Sequence, residues 1–231
     1  VLGGLSSSQT SLQTAGTATS TYTAGLVSGT GSASVTIDGQ TVSANIAVTG
    51  APTVTSSTSA LSATATSVTI TGSNFSSTPA SNSVAFTGAF VGSGTVTAAT
   101  ATQLTVSLSG QISGALNAVV TVGPNNSGSP VQVATVIPVV TSATANLAAN
   151  AASMTINGFG FSSTALNNSV AFNNGATGTV TAATSTSLTV SSLSGLVGGS
   201  LTAVVTSNSA GSGAADQLAR WQPCASGHHQ R

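Results

Sequence analysis

The feature that most constrains this chain is an internal repeat of about 86 residues, a length that suits one β-sandwich. One copy opens with Pro-Thr-Val-Thr-Ser at 52–56, and the next opens with Pro-Val-Val-Thr-Ser at 138–142. Further blocks then recur in the same order: Thr-Ile-x-Gly-x-x-Phe, Asn-Ser-Val-Ala-Phe, Gly-Thr-Val-Thr-Ala-Ala-Thr, Leu-Thr-Val and Ala-Val-Val-Thr. Because the insertions and deletions fall between these blocks, the chain contains a duplicated domain.

Within each copy, apolar and polar residues alternate, as in Val68-Thr69-Ile70. Alternation with period two places one face of a strand on a core and the other face in solvent. About seven such strands, separated by Gly, Asn, Ser and Pro turns, fit into residues 52–137. The pattern predicts an all-β fold of tandem immunoglobulin-like Greek-key β-sandwiches without α-helix. Phe75 and Phe161, which follow the glycine of the second block, are expected in the cores.

These blocks resemble bacterial immunoglobulin-like surface repeats of the IPT/TIG type over residues 52–213. The preceding Val-Thr-Ile-Asp-Gly-Gln-Thr-Val at 35–42 resembles the closing half of an invasin/intimin-type bacterial immunoglobulin-like domain, over residues 20–50. Asp38-Gly39 in this segment is also a hairpin turn signal. The resemblance implies surface adhesins, multidomain secreted proteins or spacer modules, and it brings no catalytic residues.

The repeat divides the chain into four expected segments. Residues 1–51 are too few for a sandwich, so we expect a partial immunoglobulin-like unit or a donor-strand segment. Sandwiches are predicted at 52–137 and 138–213. Residues 214–231 hold both arginines, both histidines and the only Trp and Cys, so a disordered or non-native tail is expected. Because alternation is lost there, the last strand of the second copy is predicted to leave an open sheet edge.

The chain has two Asp, two Arg, no Lys and no Glu, which is far less charge than soluble domains carry. Binding of nucleic acid or of anionic lipid requires clustered basic residues, so neither partner is expected. The apolar runs are too short for membrane insertion. A net charge near zero removes the repulsion between copies and favours self-association.

Groups that could carry chemistry are scarce: the inventory is Asp38, Asp216, Tyr22, Cys224, His228 and His229. Acid–base, nucleophilic and metal-assisted catalysis all need such groups to converge. We therefore predict no enzyme activity and no catalytic, cofactor or metal site; a metal clip by Cys224 and His228 would have too few ligands. Possible N-glycosylation is predicted at the sequons of Asn74, Asn125 and Asn167.

The leading hypothesis is a non-enzymatic extracellular or cell-surface structural protein, a subunit or segment of a filament, layer or adhesin. Head-to-tail polymerisation could occur by β-strand donation, with residues 1–20 as the donor, because the edges lack the charges that block strand addition. A longer array cut at both ends explains the incomplete N-terminal unit equally well. The alternative function is a carbohydrate- or receptor-binding module of a larger secreted protein, with a surface or glycan ligand.

Overall fold

The computed structural model describes residues 3–5, 22–24, 29–37, 39–90, 92–148 and 150–222. Within them the regular structure is β-strand, numbered β1–β23 in chain order, apart from two 3-10 turns at Pro79–Ser81 and Ala165–Asn167. The predicted all-β fold is confirmed.

The N-terminal part forms two separate antiparallel pairs. The short β1 (Gly3–Leu5) pairs with β2 (Tyr22–Ala24), and β3 (Gly29–Ile37) pairs with β4 (Gln40–Val48). Ile37 lies opposite Gln40, so the chain reverses within two residues, of which Gly39 has a φ of 75°. The predicted hairpin turn is confirmed, although Asp38 itself lies outside the described residues.

The first sandwich consists of β5–β14. Its strands are β5 (Thr53–Val54), β6 (Ala60–Ser62), β7 (Ser67–Ser73), β8 (Asn82–Gly88), β9 (Gly92–Gly94), β10 (Val96–Ala99), β11 (Gln103–Ser107), β12 (Gly114–Val122), β13 (Asn125–Asn126) and β14 (Val131–Ile137). One sheet has the order β10-β11-β7-β5, and the other has the order β6-β14-β12-β8-β9, with β13 beside β12. The chain crosses repeatedly between the two sheets, as in immunoglobulin-like Greek-key folds.

The second sandwich consists of β15–β23. Its strands are β15 (Val139–Val140), β16 (Asn146–Ala148), β17 (Ser153–Phe159), β18 (Asn168–Phe172), β19 (Thr177–Ala183), β20 (Ser187–Ser194), β21 (Gly199–Ser207), β22 (Ala210–Gly211) and β23 (Asp216–Gln222). The sheet orders are β15-β17-β20-β19 and β16-β23-β21-β18, with β22 beside β21. The duplication seen in the sequence is thus a duplication of architecture.

Each sandwich has more strands than the seven that alternation predicts, and one of the additional strands arises because the first strand changes sheets. In the first sandwich, β5 pairs antiparallel with β7, whereas β6 pairs parallel with β14. The carbonyl of Ile137 accepts a hydrogen bond from the N–H of Ala63 at 3.0 Å. The second sandwich repeats the arrangement with β15 and β16.

The inward residues of both sheets form one core in each sandwich. Phe75 and Phe161 are 5% and 0% exposed, which confirms their predicted place in the cores. A Cβ on the preceding Gly72 would clash with the Thr53 carbonyl and with the ring of Phe75, which explains the glycine of the Gly-x-x-Phe block. The most deeply buried side chains of the two cores include Ile70, Leu104, Leu116, Val120, Ile156, Leu188, Val190 and Val205.

The prediction of an irregular tail from residue 214 is wrong for residues 216–222. They form β23, which lies between β21 and β16, so the predicted open edge is closed at this place. Leu218 and Ala219 are both buried although they are consecutive, because the register of β23 on β21 shifts there by a β-bulge. The first sandwich has the same bulge, with Val133 and Ala134 buried. Residues 223–231, including Cys224 and both histidines, lie outside the described part.

Candidate functional site at the junction of the sandwiches

A single residue, Pro138, connects the two sandwiches. The last strand of the first sandwich ends at Ile137, and the first strand of the second begins at Val139. Proline fixes its own φ and also restricts the residue before it to extended conformations. The covalent connection is therefore both short and stiff.

The first sandwich meets the second through the loop that precedes β12. The N–H of Ser113 donates to the Gly160 carbonyl at 2.7 Å, and the Asn208 side-chain amide donates to the Ser113 carbonyl at 3.0 Å. Ser113 and Gln111 are 2% and 3% exposed, so these bonds lie in a buried contact. Gln111 is held in turn by its Nε2, which donates to the Ala65 carbonyl at 2.7 Å. The junction is therefore polar, buried and hydrogen-bonded from both sides.

The second sandwich contributes a tight corner between β17 and the buried Phe161. Gly160 has a φ of 77°, a conformation that favours glycine. A Cβ at this position would also clash with the Cβ of Ala63 in the first sandwich. Gly160 therefore satisfies two requirements at once, the left-handed turn and the close approach of the neighbouring sandwich.

The equivalent corner of the first sandwich carries Asn74 in place of glycine. Asn74 has a φ of 57°, and its side-chain amide donates to the Ala51 carbonyl at 3.0 Å. Asparagine tolerates the left-handed region because its short polar side chain bonds locally. Both corners therefore contact the segment that precedes their sandwich, one through backbone packing and one through a side chain.

Among the described residues, the contacts across the junction involve no ionisable side chain. The hydrogen bonds across it join carbonyl and amide groups, and the buried Ser113 Oγ has no hydrogen-bond partner. Of the described titratable residues, Asp216 and Arg220 lie on β23, where they pair with residues of β21. In the described part of the chain, His, Cys, Asp and Glu do not gather in groups of three or more that could hold a metal ion. The arrangement can fix the orientation of the two sandwiches.

The three predicted sequons lie in different settings. Asn74 is half-buried, and its amide is engaged with Ala51. Asn125 is half-buried in β13, opposite Val122. Asn167 is exposed at the end of a 3-10 turn, and its Nδ2 lies 3.3 Å from the Ser162 hydroxyl oxygen. Glycosylation at all three stays a prediction. Attachment of a glycan requires an exposed side chain, and of the three only Asn167 is exposed.

One polar role escaped the sequence analysis. Asn168 opens the Asn-Ser-Val-Ala-Phe block and is buried. Its Oδ1 accepts the N–H of Ser162 at 3.2 Å, and its Nδ2 donates to the carbonyls of Ser162 and Thr164 at 2.9 Å. Asn82 makes the same bonds to Ser76 and Thr78 in the first sandwich. The sequence did contain a signal for this role, because Asn occurs at the same position in both copies. A polar side chain that is buried at such a position is hydrogen-bonded.

A groove of about 300 Å³ lies on the first sandwich where β5 and β6 diverge. Its polar lining consists of hydroxyl side chains, and the apolar lining is aliphatic. The residues are Thr55, Ser57, Ser59, Ala60, Leu61, Val68, Thr69, Thr71, Val133 and Ala134. Sugar-binding sites present aromatic platforms, and this groove has none.

None of the helical segments in the described residues has the length and hydropathy that a membrane crossing requires.

No protein-family model and no curated protein matches the sequence. Among solved structures, the Escherichia coli adhesin FdeC is 17% identical, over 95% of this chain and 82% of that chain, with a TM-score of 0.34. Bacteroides ovatus SGBP-B, solved with a mixed-linkage heptasaccharide, is 16% identical over 96% and 59%, with a TM-score of 0.29.

Invasin, a bacterial integrin-binding protein, is 16% identical over 92% of this chain and 49% of that chain, with a TM-score of 0.29. All three of these likenesses are at low sequence identity.

Proposed function

We propose that this chain is a non-enzymatic structural segment of an extracellular or cell-surface protein, in which immunoglobulin-like sandwiches form a stiff array. The observation that carries the proposal is the junction. One proline connects the sandwiches, and Ser113 exchanges hydrogen bonds with both Gly160 and Asn208 across it. Independent binding domains are usually joined by exposed, flexible linkers, whereas this connection is buried.

The chemistry of the surface supports the same role. Outward strand positions carry Thr and Ser, which bond to each other, as Thr181 Oγ1 does with Ser191 Oγ at 2.9 Å. The extracellular setting is supported by the motif resemblance and by the scarcity of charge. A filament, a layer and an adhesin stalk all need a spacer of this kind.

Spin-label distances between the sandwiches test the stiffness. Cysteines replace the exposed Thr97 and Thr181, which occupy equivalent strand positions in the two sandwiches, and Cys224 is replaced by serine. We expect one narrow distance distribution, because both labels lie on strands joined through a fixed junction.

Two insertions of six Gly and Ser residues serve as matched controls. An insertion between Ile137 and Pro138 should broaden the distribution, because it separates the sandwiches. The same insertion after the exposed Gly128 should leave it narrow. The proposal would be contradicted if the parent chain gave a distance distribution as broad as that of the variant with the insertion before Pro138.

Polymerisation by strand donation from residues 1–20 is a finer proposal. It is supported by the hairpin of β3 and β4, which forms a sheet of its own in the described residues, because an isolated hairpin is marginally stable in water. The acceptor would be this hairpin, since β23 closes the edge expected in the second sandwich. Within the proposed donor, Gly3–Leu5 pairs with Tyr22–Ala24 of the same chain and would have to exchange partners.

Deletion of residues 1–20 tests strand donation. Analytical ultracentrifugation and electron microscopy should show loss of polymers and a shift to monomers. Polymers that form undiminished without these residues would rule out the donor role. Carbohydrate or receptor binding is the second candidate function; the aromatic-free groove does not favour it, and a glycan array on the intact chain tests it.

A further inference from the structure

An Asn-Gly pair forms the turn between β18 and β19, where the chain crosses from one sheet of the second sandwich to the other. Only two asparagines of the sequence are followed by glycine, Asn157 and Asn174. Asn174 and Gly175 have φ of 55° and 75°, and the Ala176 N–H donates to the Asn173 carbonyl at 3.1 Å. Positive φ at both central residues is typical of a type I′ turn, which favours Asn and Gly.

Asparagine followed by glycine can lose its side-chain amide without an enzyme. The glycine nitrogen attacks the asparagine Cγ, the Cγ–Nδ2 bond breaks, and the side-chain NH2 leaves as ammonia with the proton of the attacking nitrogen. Water then opens the resulting succinimide ring, either at Cγ to give aspartate or at the backbone carbonyl to give isoaspartate. Glycine favours the attack because it has no Cβ to obstruct its nitrogen, and asparagine is among the thermolabile residues for this kind of reason.

The surroundings of Gly175 leave its nitrogen available for this attack. Asn174 and Gly175 are both exposed, and a Cβ at Gly175 would meet nothing within 4 Å. In the part of the chain that the structure describes, the Gly175 N–H donates no hydrogen bond. Ring closure also requires rotation about the Asn174 Cα–C bond, which the hydrogen bond from Ala176 to Asn173 restrains. Because a surface turn opens locally at a small cost in free energy, this restraint slows the reaction without preventing it.

The base of the turn is fixed, so its opening does not have to spread into the sandwich. The Asn173 N–H donates to the Thr202 carbonyl at 3.0 Å. The Asn173 side chain accepts the Thr202 N–H and donates to the Ser200 carbonyl, each at 3.0 Å. These bonds hold the end of β18 against β21 while the two central residues of the turn rotate.

The second Asn-Gly pair lies in β17, between two neighbouring strands, and provides an internal comparison. Asn157 is exposed as well, so water reaches both asparagine side chains. The Gly158 N–H, however, donates to the Thr186 carbonyl at 2.9 Å, and the Asn157 carbonyl accepts the Thr141 N–H at 2.8 Å. A Cβ at Gly158 would also clash with the Val139 carbonyl. Both ends of this peptide bond are therefore held, and reaction there requires β17 to separate from its neighbours.

We propose that Asn174 is a site of spontaneous deamidation in the folded protein and that the fold protects Asn157. The reaction exchanges a neutral amide for a carboxylate, so it lowers the formal net charge of zero by one. A chain with two Asp and two Arg thereby acquires a net negative charge. The inference goes beyond the proposed structural role and does not depend on it.

The test is incubation of the full chain in mildly alkaline buffer, followed by tandem mass spectrometry of chymotryptic peptides. Phe161 and Phe172 lie between the two sites, so cleavage after them separates Asn157 from Asn174. The mass increase caused by exchange of NH2 for OH should accumulate at least about tenfold faster at Asn174, because a turn opens more readily than the middle of a sheet. Released ammonia, measured in parallel, should follow the same time course.

Unfolding in urea is the control for the effect of structure. In the unfolded chain both Asn-Gly pairs are equally accessible, and Asn157 and Asn174 should react at similar rates. The difference expected in the folded chain would then come from the fold and not from the neighbouring residues.

Matched substitutions assign the released ammonia. Asn174→Gln places the amide too far along the side chain to form the succinimide, and it should remove most of the ammonia released by the folded chain. Asn174→Asp, which tolerates the left-handed turn, should do the same and should focus at the isoelectric point of the aged parent chain. Asn157→Gln should leave ammonia release unchanged. Circular dichroism checks that each variant is folded.

Four results would overturn the inference. They are equal rates at Asn157 and Asn174 in the folded chain, a faster reaction at Asn157, an Asn174 that stays intact while the urea-unfolded chain reacts, and undiminished ammonia release from Asn174→Gln.

Discussion

The contact between Gly160 and Ala63 predicts a specific free-energy coupling between the two sandwiches. Alanine at Gly160 must adopt a φ of 77°, which costs roughly 1–2 kcal/mol for a residue with a Cβ. Its Cβ would also clash with Ala63, and overpacking of a buried contact costs about 1–3 kcal/mol. Gly160→Ala should therefore lower the free energy of unfolding by about 2–5 kcal/mol.

A matched glycine separates the two contributions. Gly213 has a φ of 89°, and a Cβ there would meet nothing within 4 Å. Gly213→Ala should therefore cost only the roughly 1–2 kcal/mol of the backbone conformation. The double variant Gly160→Ala with Ala63→Gly lacks the clashing methyl group. Its free energy of unfolding should recover by about 1–3 kcal/mol, less the small cost that Ala63→Gly has by itself.

Urea unfolding followed by far-ultraviolet circular dichroism measures this loss of stability. The reasoning would be refuted if Gly160→Ala cost no more than Gly213→Ala, or if Ala63→Gly gave no recovery. Either result would mean that the corner at Gly160 is not in close contact with Ala63 of the first sandwich.

Three further outcomes follow from individual side chains. Asn168→Ala removes the amide that bonds Ser162 and Thr164, and urea titration should show a loss of about 2–3 kcal/mol, because buried backbone groups lose their partners. Ser113→Ala removes a buried hydroxyl that has no partner, so the free energy of unfolding, measured by thermal unfolding, should change by no more than about 0.5 kcal/mol. In a host that glycosylates sequons, mass spectrometry should find a glycan on Asn167 that is lost on Ser169→Ala; its absence from the parent chain would contradict that site.

The sequence predicted the β-sandwiches because their core strands obey a simple alternation. Val68 and Ile70 alternate with threonine and are 5% and 0% exposed, and the Gly-x-x-Phe block placed Phe75 and Phe161 correctly in the cores. These features depend on neighbouring residues of one strand or corner, so a short stretch of sequence is enough to recognise them.

Alternation failed at β23 for a local reason. A β-bulge turns two consecutive residues, Leu218 and Ala219, toward the interior, and Arg220 follows on the exposed side. A strand with a bulge loses its period of two and resembles an irregular segment. The counterpart in β14 has the same pair of buried residues, so comparison of the copies position by position would have revealed the strand.

The junction could not be predicted because its contacts join residues distant in sequence. Asn208 bonds Ser113 across 95 positions, and Gly160 meets Ala63 across nearly a hundred. Nothing local distinguishes these residues from turn residues elsewhere in a chain rich in Gly, Ser and Asn.

The parallel pairing of β6 with β14 determines how the first sandwich responds to tension. The chain enters the first sandwich through β5 and β6 and leaves it through β14, so an axial pull drives β6 and β14 in opposite directions along their own length. The hydrogen bonds between them, such as Thr135 N–H to the Ser59 carbonyl at 2.9 Å, are then sheared together instead of being peeled one after another.

The pair of β16 and β23 is parallel as well, so both sandwiches load in shear. The hairpin of β3 and β4 has the opposite geometry, because its two ends, Gly29 and Val48, lie side by side. A pull on those ends separates one residue pair at a time. Under load we therefore expect the hairpin to extend before either sandwich yields.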